Sequence, residues 1–138
     1  MAIALTTRLL HLYRIGPGPS SSHTLGPMRA ARFVREAALE AGIVPARMRV
    51  ELMGSLSATG RGHHTDRAVL AGLQGWDPAT CDVDALNALP ESLAKDPSIP
   101  WGESTVPLRP EDVFLVRFRG AAEALPHPNT LVFKLLSA

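Results

Sequence analysis

Three polar segments of this sequence combine glycine or proline with hydroxyl residues and histidine, and they are the first candidates for chemistry. The first, residues 15–24, holds two glycines, two prolines and three serines ahead of His23. Glycine lets backbone N–H groups approach a ligand closely, and a helix start adds donors and partial positive charge. The hydroxyls of Ser20, Ser21 and Ser22 could therefore help to bind a small carboxylate. Alternatively, the serines cap a helix and His23 bonds to the backbone.

A second such segment, GSLSATGRGHHTD, spans residues 54–66 and contains His63, His64 and Asp66. Two histidines beside an acid could bind zinc, but adjacent histidines face one ion with difficulty, and the usual helical spacing is four. One imidazole could instead be a general base, oriented by Asp66 or by a backbone carbonyl. In a third interpretation one histidine caps a helix and the other is exposed. The residue types alone leave all three open.

The third segment places His127 between two prolines, with Asn129 two residues later. The prolines restrict the backbone around His127, and the amide of Asn129 can both donate and accept hydrogen bonds. The alternative is a simple turn ahead of a strand. The sequence contains no Ser-His-Asp order, phosphate loop or dinucleotide fingerprint. The residue types therefore indicate a site for a small polar ligand.

Periodicity predicts the elements that must position these segments. Small and apolar residues at helical spacing predict a helix over residues 25–41, with Gly42 at its C-terminal cap. Strict alternation predicts a half-exposed strand over residues 47–54. A second helix, capped by Thr65 or Asp66, is expected to end near Gly75.

The remainder of the chain is less regular. Residues 77–110 contain six prolines, so we expect a long excursion there with one helical turn near residues 83–89. Two strands, residues 113–119 and 130–136, are predicted to follow. The order predicts an α+β fold of two layers, with helices packed on one face of a small mixed sheet.

Composition narrows the classes of function. The net charge of +1, with no basic run interleaved with aromatics, argues against nucleic acid as a partner. No stretch approaches the roughly 18 to 20 apolar residues that cross a bilayer, and the N-terminus lacks a signal-peptide pattern, so no membrane partner is expected. Cys81 is the single cysteine. It can form neither an internal disulfide nor a metal cluster by itself, which predicts a reducing cytoplasm.

Taken together, the three segments resemble the motifs of one enzyme family. IGPGPSSSHTLGPM (residues 15–28) resembles the signature loop of the beta domain of bacterial iron–sulfur L-serine dehydratases. The segments at 54–66 and 127–133 resemble that domain's second and third motifs, in the same order and at similar spacing. Pro17 stands where the family often has an aliphatic residue. The resemblance covers nearly the whole chain.

The resemblance implies a lyase of serine catabolism that converts L-serine to pyruvate and ammonia with a [4Fe–4S] cluster. It predicts one domain over residues 1–138, of α-β-α-β-β-β type with the last strand missing, and places the cluster-bearing alpha domain outside it, on the same or a partner chain. Cys81 matches no cluster ligand of the family, so the isolated chain is expected to bind no cluster and to be inactive. A homodimer is expected, because a missing strand would leave a sheet edge exposed.

The resemblance also assigns roles to residues. His64 is implied to be the base that removes the α-hydrogen, and His127 and Asn129 to orient the substrate or shuttle a proton. A further set is implied to bind the substrate: Ser20, Ser21, Ser22, His23, Thr24, Ser55 and Thr59. Two other functions remain open. One is a regulatory module that binds an amino acid and dimerises without a catalytic role, and the other is a zinc hydrolase using His63 and His64.

Overall fold

The computed structural model describes residues 21–59, 64–116 and 127–138. A π-helical turn at Ser21–Leu25 leads into helix α1, and a 3-10 turn at Pro110–Asp112 precedes strand β4. The helices are α1 (Gly26–Glu40), α2 (Ser55–Thr59), α3 (Thr65–Leu73) and α4 (Val83–Lys95). The strands are β1 (Arg47–Gly54), β2 (Ser98–Trp101), β3 (Ser104–Pro107), β4 (Val113–Leu115) and β5 (Asn129–Leu136).

Strand β1 is the centre of a three-stranded mixed sheet of order β4-β1-β5. It pairs in parallel with β4, with Val50 opposite Val113, and antiparallel with β5 along its whole length, from Arg47 opposite Leu136 to Gly54 opposite Asn129. This architecture confirms the α+β class and the mixed sheet that the sequence predicts.

The alternation along β1 divides the sheet into two faces. Met48, Val50 and Leu52 are almost fully buried in a core that also contains the apolar faces of α1, α3 and α4. On the other face, the carboxylate of Glu51 accepts hydrogen bonds from Arg49 Nε at 2.9 Å and Lys134 Nζ at 2.8 Å. A small ionic cluster therefore covers the outer face of the sheet.

Helices α1 and α3 pack very closely, and a glycine makes this possible. A Cβ atom on Gly72 would lie 2.2 Å from the carbonyl oxygen of Met28 and 2.7 Å from the Cβ of Ala31. Only a residue without a side chain allows the two backbones to approach in this way. Helix α1 ends as predicted, with Gly42 in the left-handed region at φ +69°.

The expectation of a long irregular excursion over residues 77–110 is wrong. Helix α4 occupies thirteen residues there, and β2 and β3 form an antiparallel hairpin. Leu86, Leu89 and Leu93 bury one face of α4, while the side chain of Asp82 caps its start by accepting from the N–H of Ala85 at 2.7 Å. The sequence therefore contained a cap residue and a helical spacing of leucines. The six prolines of the segment nevertheless favoured the prediction of an irregular excursion.

The other boundaries of strands and helices differ less from the predicted ones. The predicted strand over 113–119 is a strand only as far as Leu115, and residues 117–119 lie outside the described part of the chain. Residues 55–59, where the sequence pattern predicts no helix or strand, form the short helix α2. Within the described residues, no helix is long and apolar enough to span a membrane.

Candidate active site

The first and second motifs meet where helix α3 begins. The hydroxyl of Thr65 donates a hydrogen bond to the backbone oxygen of His23 at 2.5 Å. Thr24 and Thr65 are both fully buried, so this junction is shielded from water. The π-helical turn that carries His23 also packs against α1 and α3. The bond therefore fixes the end of the first motif against the end of the second.

His64 occupies the N-cap of α3 in an unusual conformation. Its backbone lies in the left-handed region, at φ 57° and ψ 27°, a conformation that few residues other than glycine adopt. Its carbonyl accepts the helical hydrogen bond from Ala68 N at 2.9 Å. The prediction that Thr65 or Asp66 caps this helix is therefore wrong: both residues lie inside it, and the N-cap residue makes no side-chain cap hydrogen bond.

The imidazole of His64 is directed inward. Its Nδ1 atom is buried and has no hydrogen-bond partner among residues 21–59, 64–116 and 127–138. A buried polar atom without a partner costs free energy and therefore calls for a functional explanation. His64 as a residue is only partly buried, and its unsatisfied Nδ1 atom makes it the candidate of this segment for a functional role.

The second and third motifs meet at the end of β1. Ser55 donates its backbone N–H to the carbonyl of Pro128 at 2.9 Å, and its hydroxyl donates to Oδ1 of Asn129 and to the same carbonyl. Gly54, at φ +60°, lies opposite Asn129 in the β1–β5 pairing. The hydroxyl of Thr59 donates to the backbone oxygen of Ser55 at 2.9 Å. These bonds unite Ser55, Thr59 and Asn129 in one polar group.

His127 lies beside this group with a defined tautomer. Its Nδ1 atom accepts a hydrogen bond from the backbone N–H of Asn129 at 2.9 Å. A neutral imidazole that accepts at Nδ1 carries its proton at Nε2. His127 is exposed at this position, so it presents an N–H donor to anything that binds above it.

A cleft of about 880 Å³ lies between the two halves of the second motif. Ser57 of α2 and Asp66 of α3 both line it, and β4 and the adjacent 3-10 turn supply further wall residues, among them Glu111 and Phe114. No hydrogen bond between described residues joins His64 to Ser55 or Asn129, and none of these three residues is among the described residues that line the cleft. Within the second motif, Asp66 was expected only as a possible group to orient a histidine base, and Ser57 was given no role.

Some candidate residues are not placed. Ser20 and His63 lie outside the described residues, and for Ser21 only the backbone is described. Ser22 is described, and its hydroxyl lies 2.9 Å from Nδ1 of His23. The carboxylate-binding role of the first motif therefore stays a prediction.

Cys81 lies in the turn before α4, outside these polar groups. Burial, and secondarily the carboxylate of Asp82, raises the pKa of its thiol, which disfavours the thiolate that binds metal. Within the described residues no three His, Cys, Asp or Glu side chains are grouped to hold a metal ion. These residues do not fit a role as ligands of a resident iron–sulfur cluster.

Comparison with known proteins gives one consistent result. The pattern of the family described as serine dehydratase beta chain matches residues 8–138. L-serine dehydratase of Streptomyces coelicolor is 54% identical over 84 residues, or 59% of this chain and 18% of that protein. L-serine dehydratase of Mycobacterium tuberculosis is 41% identical over 133 residues, or 94% of this chain and 28% of that protein. In L-serine dehydratase 1 of Escherichia coli, 80 residues match at 46% identity, or 56% of this chain and 18% of that protein. The chain thus spans less than a third of each of these relatives.

Proposed function

This chain belongs to the serine dehydratase beta chain family, and we propose that it forms the part of an L-serine ammonia-lyase that binds serine and moves its protons. The observation that carries the proposal is the junction at the start of α3. There a hydrogen bond from Thr65 holds the first motif against the second, and the adjacent His64 has a buried, unpartnered Nδ1 among the described residues.

The reaction is an elimination followed by hydrolysis. L-serine loses a proton from its α-carbon to a base, and its β-hydroxyl group takes up a proton and leaves as water, which produces 2-aminoacrylate. Its imine tautomer takes up water and yields pyruvate and ammonia. The α-hydrogen is weakly acidic, so the base must lie within about 3 Å of it and have a pKa near the working pH. The imidazole of His64 is the group that we assign to this step.

Asn129 and His127 are the groups that orient the substrate. Because the hydroxyl of Ser55 donates to Oδ1 of Asn129, the amide N–H₂ of Asn129 remains as a donor for a ligand. His127 offers a second donor, its Nε2–H, because its Nδ1 atom is engaged by the backbone. Both donors suit substrate oxygens. His127 can also deliver a proton to a leaving oxygen.

The hydroxyls of the second motif have a complementary role. Ser55 and Thr59 already give their protons to protein acceptors, so toward a ligand they present oxygen lone pairs. We assign the substrate carboxylate to the first motif, from Ser20 to Thr24, where a helix start favours negative charge.

The cofactor and partners belong to the same proposal. A [4Fe–4S] cluster on an alpha domain, joined to this chain or carried by a partner chain, would act when bound as a Lewis acid on the departing hydroxyl. The raised pKa of Cys81 and the lack of a metal-binding group within the described residues support a location outside this domain. We also propose that the chain acts in the cytoplasm and forms a homodimer. The homodimer is proposed because the outer edge of β5 has no strand partner among the described residues and open edges favour pairing.

Reconstitution tests the proposal. Pyruvate formation from L-serine is measured for the cluster-bearing domain alone, for the two parts together, and for this chain alone. Turnover is expected only when both parts are present. Turnover by the cluster domain alone at the same rate would show that this chain does not take part in the chemistry.

Calorimetric titration of L-serine into the isolated chain addresses the regulatory alternative. A half-site that the other domain completes is expected to bind serine negligibly. Micromolar affinity for the isolated chain would instead favour a regulatory module that binds an amino acid.

A further inference from the structure

The proposed function assigns no residue to the ammonium group of the substrate. L-serine carries an ammonium group as well as a carboxylate, and none of the candidate residues above is an anion that could bind it. We propose that the carboxylate of Asp66 binds the ammonium group and thereby selects amino acids over hydroxy acids. This inference rests on the proposed function.

Asp66 lines the cleft beside the second motif, as Ser57 does. It lies in the first turn of α3, two residues after His64. The other charged residue in the described wall is Glu111, and no lysine or arginine of the described residues lines it. The charges among the described lining residues are therefore negative, which favours a cationic group.

The Oδ1 atom of Asp66 is buried, yet it has no hydrogen-bond partner among the described residues. Two other aspartates of the chain show how such a group is ordinarily satisfied. Asp82 caps α4 by accepting from Ala85 N at 2.7 Å, and Asp77 pairs with Arg32 at 2.8 Å and accepts from Ala79 N. Asp66 makes neither kind of contact with a described residue. A buried carboxylate oxygen left in this state is costly. The residue as a whole is only partly buried and lines the cleft, so an ammonium group in the cleft could donate hydrogen bonds to the carboxylate.

The chemistry explains why this carboxylate should lie close to the base. The ammonium group and the hydrogen that His64 removes are bonded to the same α-carbon. A residue two positions along the chain from His64, at the start of the same helix, can hold that group while the imidazole reaches the hydrogen. Ser55 and Thr59, whose hydroxyls offer lone pairs, are neutral and would bind an ammonium group less strongly than a carboxylate does.

The test compares Asp66→Asn, Asp66→Glu and wild type in the assembled enzyme with its cluster intact. Asp84→Asn is the matched control, because Asp84 is an exposed acid in the first turn of α4; it reproduces the loss of a helix-start charge away from the cleft. KM and kcat for L-serine are measured, together with the inhibition constant of L-glycerate, which has a hydroxyl in place of the ammonium group.

A lost hydrogen bond to a charged group corresponds to a change of about 10- to 100-fold. We expect KM for L-serine to rise by about that factor in Asp66→Asn and to be partly restored in Asp66→Glu. Inhibition by L-glycerate should be unchanged or stronger, and Asp84→Asn should resemble wild type.

Two results would overturn the assignment. One is a KM in Asp66→Asn within threefold of wild type, and the other is an equal loss of serine and glycerate binding, which indicates a structural role. If L-glycerate inhibits none of the proteins, the KM values for L-serine decide. A KM in Asp66→Glu that is no lower than in Asp66→Asn would then overturn the assignment as well. A wild-type assembly without turnover would refute the proposed function itself, so the two failures are distinguishable.

Discussion

At the scale of the residue, His64 shows which properties could be predicted from the sequence and which could not. Its neighbourhood was recognisable from the motif, but its left-handed backbone and its position as N-cap were not, because Thr65 and Asp66 are better cap residues by type. The hydroxyl of Thr65 is instead used to bind His23. A tertiary contact has therefore overridden a local preference, and only the structure could reveal it.

The Thr65–His23 hydrogen bond gives a prediction of stability. Thr65→Val keeps the shape of the buried side chain but leaves the carbonyl of His23 without this donor, which should cost about 1–3 kcal/mol in the free energy of unfolding. Thr65→Ser keeps the hydroxyl and should lose much less. Urea denaturation of the chain measures both. A larger loss in Thr65→Ser than in Thr65→Val would mean that packing of the methyl group, and not the hydrogen bond, matters here.

Glu51 gives a prediction of pH dependence. The hydrogen bond from Lys134 is the largest cause of a pKa below the ordinary value of 4.5 for this carboxylate, and Arg49 contributes to the same shift. A folded-state pKa below the unfolded one stabilises the protein above the unfolded pKa, and this stability is lost as the pH falls through the folded value. Glu51→Gln should therefore lower stability by about 1 kcal/mol at pH 7, and the difference should vanish in acid.

Glu91→Gln is the control for Glu51→Gln. Glu91 forms an exposed pair with Lys95 in which both side chains are 74% exposed, and such pairs contribute little. Unfolding of both variants is followed in urea at neutral and acidic pH. If Glu51→Gln lost as much stability in acid as at neutral pH, the ionic cluster on the outer face of the sheet would not be the cause.

At the scale of the element, the pattern of apolar residues predicted α1, β1, α3 and β5, and in α1 and β1 this pattern corresponds to one buried face. It failed over residues 77–110, where α4 continues through Pro90. A proline inside a helix removes one hydrogen bond and is a strong local signal against helix. Burial of Leu86, Leu89 and Leu93 outweighs that penalty. The hairpin was missed for a similar reason, since Pro100 and Pro107 lie within its strands.

The contact between α1 and α3 predicts the effect of one substitution. In an exposed helix, Gly→Ala is stabilising, but a Cβ at Gly72 would overlap the backbone of Met28 at 2.2 Å. Gly72→Ala should therefore destabilise the chain by about 2 kcal/mol or more. Gly42→Ala should cost about 1 kcal/mol, from backbone strain alone, since a Cβ there meets nothing within 4 Å. Thermal unfolding compares the two variants, and the reverse order would contradict this account of the packing.

At the scale of the whole molecule, the α+β fold was predictable, whereas the convergence of the site was only partly so. The order of the three motifs indicated one site, and the structure joins them in pairs, through Thr65 and His23 and through Ser55 and Asn129. The cleft between α2 and α3 could not be predicted, since its wall includes the 3-10 turn and β4. Both are distant in sequence from the second motif.

The proposed location of the cluster on another domain predicts the properties of the isolated chain. Because its described residues group no metal ligands and burial raises the pKa of the Cys81 thiol, the purified chain should be colourless and should form no pyruvate from L-serine. Visible absorption and iron analysis after reconstitution with iron and sulfide test this. Stoichiometric iron with broad visible absorption would show that the chain itself holds a cluster.

The most direct measurement is the turnover of the assembled enzyme with His64→Ala, beside His63→Ala and wild type, at equal iron content. A missing general base should reduce kcat by about 10² or more in His64→Ala and much less in His63→Ala. If His64→Ala kept turnover within a few-fold of wild type with its cluster intact, the imidazole at the start of α3 would not be the base.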